Sequence, residues 1–441
     1  MERILHELLE EAKALGAQEA DAIITKATEV EANLYKGEVD EYTNATTQGM
    51  GLRVILDGKV GYAYSETFDG IEEVAASAIS GARVTSPDEG IGLYTGTYGP
   101  SGDGNYDFPI EEAEVLETAT QLYETLNEHP DVGDIYRSSA GMGSRSTYYA
   151  SSRGGYLHQG FPYAEVVAAP IVQRGDYRET GIAFSSGVNL SDTDYKALTA
   201  LSVERGMRYL DAKTTQSRSC PVVIHGEAMV DLIGAFSSIF SGQRAQMGLS
   251  LLKDKEGDEV AAPVFTLTDT PHNVSYGNTS LFDGEGVPKQ EKNIIDKGIL
   301  TTLYYDVKSA NKAKKQPTGN GARGYSTPII TAPNNLVVQP GADDLNALIQ
   351  KAYNGVLLYE VSGLHSGAND TSGDFSLLCK GREIANGLLG GPFIQAVISG
   401  NFYQLLRDIV AVGNDDVLNS PGFSTIIAPS VLVQKLTIAG E

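Results

Sequence analysis

Apolar residues open the chain at helical spacing. Leu5, Leu8, Leu9, Ala12 and Leu15 fall on one face, which predicts a helix from Glu2 to about Leu15. The runs "ADAIITKA" and "VEANLYKGEV" then alternate as strands do. In "GMGLRVILDGKVGYAYSE" two alternating runs flank Asp57-Gly58, a strong hairpin signal. From Asp69 the period returns to that of a helix, with Ile71, Val74, Ala75 and Ile79 on one stripe. Residues 86 to about 108 are rich in Gly, Pro, Asp and Tyr and read as a surface loop or linker. A second helix is predicted from about Ile110 to Asn127, strands between Asp134 and Ala183, and a third helix from about Thr193 to Tyr209.

The order of paired strands followed by a helix occurs twice. The first helix ends in Gly-x-Arg and the second in Gly-Met-Arg, a weak internal repeat. After "SRSCP" the texture changes to short strands and tight turns such as "DGEGVP", "DKGIL" and "NDTSGDF". The expected fold class is α+β, with a duplicated strand-helix unit in the N-terminal region and a β-rich C-terminal domain. The expected boundaries are 1–90 and 91–215 for the two N-terminal α/β units and 216–441 for the last domain.

Composition narrows the function. Lys plus Arg is 33 against 57 Asp plus Glu, a formal net charge of -24, which argues against a general binder of nucleic acid or anionic membrane. The one short basic run, Lys312 to Lys315, reads as a helix end. Two distant cysteines, Cys220 and Cys379, make no disulfide framework and suit a reducing cytoplasm. The charged first segment lacks the apolar stretch of a secretory signal, and no apolar run reaches the length of a membrane span.

Candidate chemistry is sparse. In "VVIHGEAMVDLIGAFSSIFSG" His225 and Glu227 raise the question of a zinc helix. A zinc helix of the H-E-x-x-H kind carries histidines four apart, but Met229 stands four residues after His225 and the next histidine is His272. His225 therefore reads as a strand end and Glu227 as a first-turn acid. Asp283, Glu285, Asp296, Asp306, Asp370, Asp374, Asp415 and Asp416 stand in or near turns, where such side chains bond local backbone, although oxygen ligation of Ca²⁺ or Mg²⁺ is an alternative. "TGNGARG", Thr318 to Gly324, lacks the Gly-Lys-Ser/Thr ending of a phosphate loop and reads as flexible or closely packed. "SGDFS" and "AFSSIFSG" form no Gly-x-Ser-x-Gly elbow. Cys379 reads as a plain buried cysteine; His365 is the nearest base in sequence.

A set of ordered motifs changes the picture. "GLRVILDGKVGYAYSE", "SLLKDKEGDEVAAPVFTLTDTP", "LFDGEGVPKQEKNIIDKGILTTLYYDVKSANKAKKQPTGNGAR", "TSGDF", "VISGNFYQLLRDIVAVGND" and "LTIAG" together resemble the TldD/PmbA family over nearly the whole chain. Its members carry the label modulator of DNA gyrase. TldD-like members of that family resemble zinc metallopeptidases with an H-E-x-x-x-H helix and a late cysteine ligand. PmbA-like members, also called TldE, lack those ligands and pair with a TldD-like subunit that degrades unfolded peptides or matures a peptide precursor.

Anchored on "GLSLLKDKEGDEVAA", the resemblance places the histidine positions at Ile233 and Ser238 and the glutamate position at Gly234. No cysteine follows Gly413-Asn414-Asp415. The resemblance thus implies a PmbA/TldE-like, cytoplasmic, non-catalytic subunit. It would have no catalytic, cofactor-binding or metal residue of its own. Its implied partners are a TldD-like zinc peptidase subunit and a peptide substrate, with a homodimer left open for the isolated chain; nucleic acid and membrane are not implied. Two rival readings stand beside it. One is a stand-alone metallopeptidase using His225, Glu227, His272 or His365. The other is a regulatory binding protein acting on gyrase or a toxin-antitoxin system.

Overall fold

The structure, a computed structural model, describes residues 1–102, 108, 110–273, 278–418 and 425–440. Helix α1 (Glu2–Ala14) buries Leu5, Leu8, Leu9 and Ala12, the expected stripe. Strands β1 (Glu19–Tyr35), β2 (Glu38–Leu56) and β3 (Lys59–Ser65) follow, then helix α2 (Ile71–Val84). The first run and the second as far as Tyr35 form one strand, β1; Lys36 and Gly37 make the turn, and Glu38 and Val39 begin β2. Thr25 to Thr28 are only half-buried, so the apolar alternation fades there, yet the ladders to β2 and β4 run through them. Backbone pairing does not need apolar side chains. Asp57 and Gly58 both have positive φ, 51° and 71°, as the two-residue hairpin turn requires.

The same element order returns in α3 (Glu112–Asn127), β4 (Val132–Ser151), β5 (Tyr156–Arg174), β6 (Tyr177–Thr180), β7 (Ala183–Gly187) and α4 (Tyr195–Met207). The strands join in one sheet, ordered β3-β2-β1-β4-β5-β6, with β1 and β4 antiparallel at its centre. The helices cover one face. Ala20, Ala22 and Ile24 of β1 pack with α1 and α2, while Val30, Ala32 and Leu34 pack with α3. The alternate positions of β1, among them Asp21 and Ile23, face the other way, toward the C-terminal region.

That region is β-rich. Strand β8 (Arg218–Ile224) lies between Gly355–Ser362, which is parallel to it, and Val431–Ala439. Leu388–Asn401 pairs with both Asp374–Ala385 and Val431–Ala439, which closes the sheet on itself. In a second sheet, β9 (Leu267–Thr270) runs between Lys292–Asp296 and Asn335–Val338. Helix α5 (Gly226–Phe236) buries Leu232, Ile233 and Phe236 in the largest core cluster. Lys312 stands in the last turn of the short helix Val307–Ala313, as its charge suggested. Part of the 86–108 segment falls outside the described residues; its described part, to residue 102, contains no helix or strand. Among the described residues no helix is long and apolar enough to cross a membrane.

Candidate functional site

Strand β8 ends at Ile224, and His225 caps helix α5. The His225 backbone N–H donates to Leu358 O at 2.8 Å, and its Nδ1 accepts from the Glu227 N–H at 3.3 Å. The ring packs on Tyr359 with centroids 4.9 Å apart. Burial holds the imidazole below its ordinary pKa, against the pull of Glu227. An accepting Nδ1 requires the same neutral state. His225 is therefore expected to titrate below 6.5 in an NMR pH series; a value above 6.5 would remove this capping role.

Glu227 is committed to two arginines. Arg205 Nε donates to it at 2.7 Å and Arg208 Nη1 at 2.5 Å, and the Arg208 guanidinium stands 4.0 Å over the Tyr359 ring. Burial pushes the carboxyl up, but Arg208 and Arg205 outweigh it and hold it below the usual range. These bonds tie α4 and the residue just beyond it to α5. Both residues that suggested a metal helix thus act as cap and clamp.

The remaining candidates do not converge. His365 is exposed on the short helix Leu364–Gly367. The side chain of His272 lies outside the described residues. Cys379 is buried in the core with its thiol pushed up to about 12 by burial, and Cys220 is also buried and raised by burial. Among the described residues no three His, Cys, Asp or Glu side chains gather as a metal site.

The positions that the resemblance gives to a zinc helix can be tested directly. Ile233 is 2 % exposed in the core and offers no donor atom. Gly234 is exposed on the same helix and carries no carboxylate. The Ser238 hydroxyl donates to Asp370 Oδ2 at 3.0 Å, and Arg244 pairs with the same carboxylate at 2.8 Å. A guanidinium already takes the one acid there. This donor set does not fit zinc, which needs three or four N, S or O ligands.

What the surface offers is concavity. A cavity of about 320 Å³ beside α5 is lined by Arg205, Glu227, Asp231 and Glu360 together with Ile182 and Phe184. Burial first, then Glu227 and Glu360, pushes Asp231 up to about 6. A second cavity, about 470 Å³, shares Ile182 and Phe184 and adds Glu29, Glu31 and Glu165. The two adjoin at Ile182 and Phe184, and the acids of each stand beside arginines, Arg205 and Arg208 in the first and Arg137 in the second.

Sequence reading missed the buried ion network between the N-terminal sheet and the C-terminal region. Arg53 pairs with Asp21 through Nε at 3.0 Å and with Glu285 at 2.8 Å, and Arg323 pairs with Asp21 at 2.9 Å. Asp283 does bond local backbone, from Glu285 and Val287, as a turn residue should. Yet Asp283 and Glu285 are buried, not on a surface turn. The available signal was a charged residue inside each of two apolar strand runs, "ADAII" and "LRVIL".

Known proteins share this architecture. A solved structure from Thermotoga maritima, described as a candidate modulator of a DNA gyrase, superposes with a TM-score of 0.88 at 27% identity over 99% of this chain and 100% of that one. TldE from Thermococcus kodakarensis has the same fold, with a TM-score of 0.88 at 21% identity over 99% of this chain and 100% of that one. The metalloprotease PmbA of Escherichia coli O157:H7 is 24% identical over 100% of this chain and 97% of its own length. The family model described as PmbA/TldA metallopeptidase C-terminal domain matches residues 217–440, and the model for domain 1 matches residues 20–82. The first of these alone covers just over half of the 441 residues. The chain belongs to the PmbA/TldD metallopeptidase family.

Proposed function

We propose that this chain is a non-catalytic, PmbA/TldE-like subunit that works in the cytoplasm with a TldD-like zinc peptidase on unfolded peptides or peptide precursors. One observation carries this reading: Ile233, Gly234 and Ser238 stand where the family resemblance places two zinc-binding histidines and a glutamate base, and none can serve. Metal and base then come from the partner. The paired cavities around Ile182 and Phe184 give this chain a peptide-facing surface, with room for an extended segment. The rival metal site built on His225 and Glu227 is weakened because both side chains are already engaged.

The test is peptidase activity of this chain with and without a co-expressed TldD-like subunit, with zinc measured on each purified species. The expected outcome is activity only in the pair, and zinc in the partner. Zinc-dependent cleavage by this chain alone would overturn the reading. Recovery of gyrase instead of a TldD-like chain in a pull-down would favour a regulatory role.

A further inference from the structure

Strand β2 is longer than the strand on its outer side. Its inner side pairs with β1 from Glu38 to Ile55, but β3 covers the outer side only from Met50 to Leu56. The stretch from Glu38 to Gly49 therefore keeps one free edge. Among the described residues no further backbone hydrogen bond reaches it. At Gly49 the free edge meets Tyr325, whose ring would lie 2.5 Å from a Cβ built there. Every residue from Glu38 to Asn44 is exposed, as are Thr46 and Thr47.

An unpaired edge is a template for another strand, and proteins blunt such edges with a bulge, a proline, a lysine or a covering segment. One of these devices is present. The register to β1 slips between Asn33 and Leu34, which leaves Asp40 as the extra residue on β2. Beyond it the ladder is regular from Glu41 to Gln48, opposite Asn33 to Lys26. That stretch, "EYTNATTQ", contains no proline and no lysine. It spans about 27 Å at about 3.4 Å per residue. Two of its side chains are already fixed. The Tyr42 hydroxyl and the Asn44 amide donate to the two oxygens of Glu112, each at 2.7 Å, which ties the strand to the start of α3. An edge held in place loses less freedom when it binds.

We propose that the free edge of β2 takes an extended, positively charged polypeptide segment as an added strand. Main-chain hydrogen bonds along Glu41 to Gln48 hold the segment, whatever most of its side chains are. Charge selects the occupant. Glu38, Asp40 and Glu41 stand at one end of the edge with no ion-pair partner among the described residues. The neighbouring β1 adds Glu29, which accepts from the Tyr163 hydroxyl, and Glu31, which pairs with Arg137. The opposing charges on this hairpin are Lys36, beside the Tyr35 ring in the turn, and Lys26, opposite Gln48 at the far end. The cations of the segment therefore fall at the Glu38 to Glu41 end. A second copy of the chain fits less well, because it brings the same acidic strand and a net charge of -24. The proposal holds for the chain with or without a peptidase partner.

The probe is a short fluorescent peptide of alternating threonine and valine, amidated and ending in two lysines. Its binding to the full chain is followed by anisotropy, and amide hydrogen exchange read by mass spectrometry locates it. Saturable binding is expected, with slowed exchange in residues 38–48. Methylating alternate peptide nitrogens should abolish binding in one phase and be tolerated in the other, because only one edge of an added strand is bonded. Exchanging the two lysines for glutamates should weaken binding about threefold or more, the worth of cross-strand opposite-charge pairs. The triple variant Glu38→Gln, Asp40→Asn, Glu41→Gln should do the same; all three side chains are exposed, so the fold is expected to survive. Absence of saturation, an equal effect of both methylation patterns, or slowed exchange only in other segments overturns the added strand. A glutamate peptide that binds as tightly as the lysine peptide overturns the charge assignment, and that comparison needs no variant. Slowed exchange in 38–48 that grows with protein concentration in the peptide-free chain gives the edge to a second copy and overturns the peptide assignment.

Discussion

Replacing Asp21 with alanine is expected to cost about 3–5 kcal/mol of folding stability, the usual result of removing one member of a buried ion network. Asp21 has no exposed surface and receives Arg53 through two nitrogens, Arg323 through one, and the Tyr149 hydroxyl at 3.3 Å. The side chains of Arg53 and Arg323 are 6% and 2% exposed, so neither can turn to water when the carboxylate goes. Burial pushes the Asp21 carboxyl up, but Arg323 and Arg53 outweigh it and hold it below its ordinary value of 3.8. A depressed acid stabilises the fold above its unfolded value, near about 3.9, and loses that contribution as pH falls through the folded value. The deficit of Asp21→Ala should therefore be full at neutral pH and shrink only in strong acid. Urea unfolding at neutral and acid pH measures both. A loss under about 1 kcal/mol at neutral pH would place Asp21 with surface pairs, whose worth is about 0–1 kcal/mol. The pair Arg3–Glu7, 84% and 45% exposed, is the internal control.

The second large effect concerns the duplicated unit. Gly61→Ala and Gly181→Ala are each expected to destabilise by about 3 kcal/mol or more, at or beyond the top of the usual range for overpacking. A Cβ on Gly61 would lie 1.9 Å from Ala78 O, in α2, and one on Gly181 would lie 1.8 Å from Ser202 O, in α4. Both obstacles are helix backbone, which cannot rotate aside. The helix glycines Gly81 and Gly206 sit at the same two crossings, so each half of the sheet meets its helix through facing glycines. Neither Gly61 nor Gly181 has positive φ, so the penalty comes from space and not from backbone strain. Gly391, with nothing within 4 Å of a built Cβ, should accept alanine with little change. The two crossings lie in different halves, and the double substitution should add within about 0.5 kcal/mol. Thermal or urea unfolding of the single and double variants checks this. A near-neutral Gly61→Ala would mean that α2 can lift away from β3 at little cost.

Much of this was legible in the chain. Helices α1 and α2, the Asp57-Gly58 turn, the strand-then-helix role of His225 and Glu227, and the Gly-x-Arg and Gly-Met-Arg helix ends all follow from neighbours within a few positions. Ordered motifs carried the family. Those signals are local, because helical period, turn chemistry and motif spacing are set by residues close in sequence. Other features had no local signature. Arg53 meets Glu285 across 232 positions and Arg323 meets Asp21 across 302. Only the folding of the C-terminal loops against the outer face of the N-terminal sheet decided that Asp283 and Glu285 are buried and that Lys289 and Arg323 line one cavity, and only the docking of α4 against α5 decided that Glu227 is held by Arg205 and Arg208. A charge in a loop has the same sequence context in water or in a core. Its meaning changes only when distant chain removes the water and supplies, or withholds, a partner.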